Sequence, residues 1–232
     1  MRKRKADAIT AGTPDSSSGD AAAAPMPRRH LFCDLDGVLC NFDRGVVRVC
    51  GAEPSALEPR RMWPQLSRVG GDGFFAGLEW AEGGRELWRE LGPLASEGRL
   101  KVLTGCPLGG WAAPQKFKWC AGHLGVAVRH LSKAGPAMSH ARLRLMPPAQ
   151  DDAAVDVITC WTRNKHLEVS GPECVLIDDS YALAEAWERA GGIFVHHKDT
   201  PSSLARLGEL GLLLGPEAAE APAKASTAES KS

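Results

Sequence analysis

Four short runs rich in Val, Ile, Leu and Phe recur along this chain: HLFCDL (30–35), RLKVLTG (99–105), CVLIDDS (174–180) and GIFVHH (192–197). Each reads as a strand. Helical patterns lie between them. GGRELWRELGPLASEG spaces Leu87, Leu91 and Leu94 along one face, PQKFKWCAGHLG opens at Pro114 and ends at a glycine, and SYALAEAWERAGG runs from Ser180 to Gly191. Strands alternating with helices dictate an α/β fold, a parallel sheet covered on both faces in three Rossmann-like layers. VAVRHL and VDVITC compete for the next strand. VDVITC is preferred because it leads directly into TRNK, and residues 128–154 then read as an insertion of low periodicity.

Ligands of such sheets gather at the carboxyl ends of the strands. There the first run places Asp34 and Asp36, in LFCDLDGVLC, the second places Thr104, and the third places Asp178 and Asp179. Carboxylates crowded on one edge repel one another in a low dielectric. A divalent cation is the simplest compensation, and hard oxygen donors favour Mg²⁺. Lys165, shortly before the third run, supplies a positive charge for an anionic substrate.

The rest of the chain sets limits. It has 232 residues, 44% of them hydrophobic, enough for one sizeable domain with tails, and its 28 basic residues balance 28 acidic ones. No global field draws it to nucleic acid or to an anionic membrane, so anion binding has to be local. Nucleic acid is therefore a poor expectation as a partner, and the arginines of the 128–163 region are not interleaved with aromatics. No apolar stretch approaches the ~20 residues of a membrane span, and no secretory signal is visible. A cytoplasmic protein is expected, although RKRK near the N-terminus leaves a nuclear or organellar address open. Seven scattered cysteines without a CxxC pair argue against both disulfides and a zinc site. Residues 1–27 and 216–232 have the composition of disordered tails.

DLDGV, VLTG, Lys165 and LIDDS together resemble, in order and in strand context, the four motifs of the haloacid dehalogenase (HAD) superfamily of phosphatases. The likeness extends to its 5'(3')-deoxyribonucleotidases: DLDGVLCNF resembles their opening motif, PQKFKWCAGHLG their lysine-bearing helix, and TRNK with LIDD their third and fourth motifs. It spans about residues 29–198 with gaps. Gly105 and Cys106 depart from the Ser and Pro usual in those enzymes.

The resemblance implies a HAD-like hydrolase domain over 28–215 with a small helical cap at about 41–98. Asp34 would be the nucleophile that forms an aspartyl phosphate, and Asp36 the general acid and base. Thr104, the amide of Gly105, Lys165 and Lys116 would hold phosphate, while Asp34, Asp36, Asp178 and Asp179 would bind Mg²⁺. Phe42 and Trp63 would stack on a base, with Phe74, Phe75 and Trp80 in the cap core. His196 and His197 read as a plain strand-end pair. A 5'-nucleotidase acting on a small phosphorylated substrate is the leading expectation. A phosphatase of sugar phosphates or nucleic-acid ends, and a non-catalytic scaffold, are the alternatives; a homodimer is left open.

Overall fold

The computed structural model describes residues 28–133 and 154–213. The expected tails and most of the expected insertion lie outside these residues. Among them six strands form one wholly parallel sheet: β1 (His30–Cys33), β2 (Leu100–Cys106), β3 (Val128–Ser132), β4 (Val155–Trp161), β5 (Cys174–Asp178) and β6 (Ile193–His196), in the order β3-β4-β2-β1-β5-β6. VAVRHL and VDVITC are thus both strands. The former forms the edge strand β3, so 128–132 belongs to the sheet and not to an insertion.

The helices are α1 (Phe42–Cys50), α2 (Pro59–Leu66), α3 (Gly84–Ser96), α4 (Ala112–His123), α5 (Ala184–Arg189) and α6 (Thr200–Glu209). Successive strand residues point to opposite faces. Leu31, Cys33, Val102, Val157, Val175 and Ile177 join a core containing Leu87, Leu91 and Leu94 of α3, Trp119 of α4 and Leu207 of α6. Phe32, Leu103, Ile158 and Leu176 form a second core on the other face with Trp187 of α5. That alternation yields the expected three layers. Each fully buried Leu or Val contributes about 1.5–3 kcal/mol through water released from its surface.

Two features position the site. The order in which strands are added changes sense at β1, with β2, β3 and β4 on one side and β5 and β6 on the other, and this is the switch point at which an open α/β sheet leaves a crevice. Beyond β1 the backbone turns tightly, with Gly37 N–H donating to Cys40 O at 2.9 Å and Gly37 at φ 74°. Only glycine adopts that φ freely. Asn41 then caps α1 by accepting from Arg44 N–H at 3.0 Å. The cap expected over 41–98 includes α3, but α3 packs on β2 and α6 as part of the sheet's outer layer. The helical segment separate from that layer is α1 with α2.

Candidate active site

Asp34 follows β1 directly, and its N–H donates to Ile177 O at 3.0 Å, which ties it to the end of β5. Asp178 is the last residue of β5. Lys165 lies in a 3-10 segment (Thr162–Glu168) that follows β4. Its Nζ donates to Asp178 Oδ2 at 2.6 Å and lies 2.8 Å from Asp34 Oδ1. Lys165 is 2% exposed. Burial alone would lower its pKa, but the two carboxylates outweigh that and hold it well above the usual lysine value.

A second buried lysine holds the other aspartate. Lys116 of α4, 0% exposed, reaches Asp36 Oδ2, Thr104 Oγ1 at 2.9 Å and Gly105 O at 2.6 Å, and so donates all three of its protons to the protein. Its charge also sits 4.4 Å above the Phe75 ring. Asp36 Oδ1 accepts from Cys40 Sγ at 3.4 Å. Burial raises the pKa of Asp36, Lys116 opposes that shift and Asp34 adds to it. The carboxyl is therefore held where proton exchange is easier than for a free aspartate.

Asp34, Asp178 and Asp179 each present a carboxylate oxygen within 4.8 Å of the other two. Asp34 Oδ1 is buried and, apart from the charge contact with Lys165, accepts no hydrogen bond. Burial, then the charge of Asp34, lifts Asp178 to about 6, and burial with Asp34 and Asp178 lifts Asp179 to about 7. A buried Asp34 oxygen that accepts no hydrogen bond, beside two carboxyls, Asp178 and Asp179, whose ionisation is resisted, fits a hard divalent cation. Gly37 makes the crowding feasible: a Cβ there would lie 2.1 Å from Asp179 Oδ2.

The structure thus joins Asp34, Lys165, Asp178 and Asp179 in one cluster, and Asp36, Lys116, Thr104 and Gly105 in an adjoining one. Asp36, expected among the metal ligands, has its carboxylate on Lys116 and Cys40, outside the group of three. Thr104 and Lys116, expected at the phosphate, sit behind Asp36 with no accessible surface. The contact seen for Gly105 is through its carbonyl, which Lys116 occupies.

Phe42 and Trp63 do not form a slot. Their ring centroids are 5.9 Å apart, and a base between them would need about 7 Å, two van der Waals spacings of ~3.5 Å. Phe42 also packs on Phe74 at 5.7 Å and Phe75 at 6.2 Å. It borders a cavity of about 530 Å³ beside Asp179, whereas Trp63 borders another, of about 680 Å³, beside Asp36. Phe74 and Phe75 are buried as expected, yet Phe75 also lines the larger cavity. Trp80 packs on Trp119 at 4.9 Å. His197 is buried, with Nδ1 2.9 Å from Ser203 Oγ, and His196 Nε2 lies 3.0 Å from Asp179 O, so neither ring joins the carboxylate cluster.

Sequence reasoning missed how deep Lys116 sits and missed Trp161 and Arg163, which line the larger cavity. The helical spacing of Lys116 beside Trp119 and Cys120, all on the buried face of α4, was the available signal. No helix among the described residues is long and apolar enough to cross a membrane.

No family model matches the sequence, and no curated protein matches it. Solved structures do. The chain is similar to an uncharacterized protein from Corynebacterium glutamicum ATCC 13032 Kitasato (15% identity, TM-score 0.37, covering 81% of this chain and 98% of that one). A Bacteroides fragilis N-terminal part containing a phosphatase domain, complexed with Mg, matches at 13% identity and TM-score 0.43 over 81% of this chain and 41% of that one. A HAD family enzyme from Bacteroides thetaiotaomicron matches at 12% identity and TM-score 0.34 over 73% and 93% of the two chains.

Proposed function

We propose that this protein is a magnesium-dependent phosphomonoesterase of the HAD type, acting through an aspartyl phosphate on Asp34, with nucleoside monophosphates as its substrates. The observation that carries this reading is the separation of the two aspartates. Asp34 is tied to Lys165 in the metal-fitting cluster, whereas Asp36, two residues later, has its own lysine. One carboxylate is thereby held in place for attack and the other is kept ready to exchange a proton.

In the first half-reaction Asp34 attacks phosphorus and displaces the substrate's oxygen, to which Asp36 delivers a proton. In the second, Asp36 takes a proton from water, which attacks the same phosphorus and releases phosphate from Asp34. Lys165 draws negative charge from Asp34 and Asp178 throughout. Lys116 anchors Asp36 and thereby fixes the direction of proton delivery. Asp34, Asp178 and Asp179 would hold Mg²⁺, which when bound neutralises phosphate oxygens as charge builds on them.

The nucleotide assignment is supported by the aromatic lining that Trp63 and Phe75 give to the cavity beside Asp36. Phosphate release from a panel of nucleotides, sugar phosphates and aryl phosphates, with magnesium and then with chelator, tests the whole reading. Metal-dependent turnover of nucleoside monophosphates above the sugar phosphates is expected. Absence of turnover throughout would remove the enzyme, and a preference for sugar phosphates would remove the nucleotide.

A further inference from the structure

The cavity beside Asp36 has a charge pattern that its aromatic lining does not explain. Among the described residues Asp36 is the sole carboxylate on its wall, and Lys116 already neutralises it. Two arginines, Arg60 and Arg163, face the same space. They are not equivalent. Arg60 is clamped by Glu58, with Nε and Nη2 each donating at 3.1 Å. Arg163 has no carboxylate partner among the described residues; its guanidinium lies 5.0 Å from the centroid of Trp161, another wall residue. A cation–π contact with the indole engages one side of the guanidinium without using its N–H donors, and those donors are the fork that binds a carboxylate or phosphate with two parallel hydrogen bonds.

We infer that Arg163, seated on Trp161, reads a second negative charge on the leaving group. The preferred substrate is a phosphomonoester that carries a flat ring against Trp63 and Phe75 and a carboxylate or further phosphate on or beside the body that bears that ring. The inference rests on the phosphomonoesterase reading and narrows its substrate. A chain with equal numbers of acidic and basic residues gains no anion selectivity from its overall field, so a local arginine with no carboxylate partner among the described residues is what can supply it. The cavity volume of about 680 Å³ suits a small molecule. Among nucleotides the matching class is a nucleoside 3',5'-bisphosphate.

The test compares matched pairs on the full chain: phenyl phosphate with 4-carboxyphenyl phosphate, and adenosine 5'-monophosphate with adenosine 3',5'-bisphosphate. The second charge should raise kcat/KM by about ten- to a hundredfold in at least one pair, the range of one charge-assisted hydrogen bond. Arg163→Gln should erase most of that ratio and Arg163→Lys should restore part of it. A ratio taken on one protein sample cancels any general loss of activity. Binding of benzenephosphonate and 4-carboxybenzenephosphonate, measured by calorimetry, reads the subsite without turnover. An inactive protein that still binds the carboxylated phosphonate more tightly, and loses that preference in Arg163→Gln, would therefore sink the phosphatase and keep the subsite. No advantage for the second charge in turnover or binding, an advantage that survives Arg163→Gln, or a strong preference for 5'-phosphorylated oligonucleotides would overturn it.

Discussion

Lys116 reaches back from α4 to Asp36, eighty positions earlier in the chain, and buries its charge completely in doing so. Removing one member of a buried ion pair leaves the other uncompensated, which costs about 3–5 kcal/mol. Lys116→Met should therefore lower Tm markedly and push the Asp36 pKa further up, which moves to higher pH the alkaline limb of kcat/KM, where Asp36 must still carry the proton it delivers. Adding Asp36→Asn to Lys116→Met should recover part of the stability but none of the activity. Strictly additive stability losses in that double-mutant cycle would deny the coupling.

Asp34→Asn should reduce turnover by on the order of 10⁴-fold or more, as loss of a nucleophile does. Its fold should persist, since Lys165 keeps Asp178. Asp36→Ala should lose ~10²–10⁴-fold, the range of general acid–base catalysis, while still becoming phosphorylated on Asp34 by substrates with good leaving groups. Intact-mass measurement during turnover separates the two variants: the phosphorylated species is expected in Asp36→Ala and absent in Asp34→Asn.

The metal-fitting carboxylates set a pH dependence. Asp178 and Asp179 are raised to about 6 and about 7 from 3.8, so between those limits the folded state holds protons that the unfolded state has released. Their contribution to stability consequently falls as pH rises from about 4 to about 7. Magnesium competes with the same protons. In chelator, Asp179→Asn should flatten part of the decline in Tm, and the stabilisation by magnesium in the wild type should grow between about pH 5.5 and about pH 8. Equal magnesium shifts at both pH values would contradict the assignment.

Trp63 and Phe42 should separate, because only Trp63 lines the cavity beside Asp36. Trp63→Ala should weaken kcat/KM for a nucleoside monophosphate by about ten- to a hundredfold, and far less for a small alkyl phosphate. Phe42→Ala should instead lower stability, toward the lower end of the ~3–5 kcal/mol of a buried ring, with similar losses on all substrates. Thermal melts beside substrate ratios distinguish the two patterns.

Gly37→Ala introduces a methyl group where Asp179 Oδ2 stands and strains a backbone at φ 74°. The variant should require more magnesium for half-maximal activity, by about ten- to a hundredfold, as displaced metal-site neighbours do. Titration of the activity with magnesium measures it.

The strands β1, β2, β5 and β6 were legible because buried parallel strands are nearly continuous Leu, Val and Ile runs, and Asp34 and Asp178 follow from where those runs stop. β3 was not. Its VRHLS carries Arg129 and His130 on an edge where every residue keeps some exposure, so hydrophobic pattern gives little signal. Lys116 could be read as an anion ligand but not as the anchor of Asp36, since its acceptors arrive from β1 and β2 only on folding. The separation of Phe42 from the cavity beside Asp36 depends on packing among Phe74 and Phe75, which no spacing in the sequence encodes.

The central place of β1 has a consequence for how the chain matures. Leu31 must pair with Leu100 on one side and Val175 on the other, so the strand leading into Asp34, the proposed nucleophile, is the earliest made and has to wait for partners from much later in synthesis. Long-range parallel pairing of this kind is intrinsically slow. Until β5 docks, Asp34 lacks Asp178 and Asp179 beside it, so a nascent or truncated chain ending before Cys174 leaves β1 with one unpaired edge and the proposed site incomplete. If the proposed activity holds, onset of phosphate release during refolding should mark closure of the pairing between β1 and β5 and lag behind the gain of helical signal.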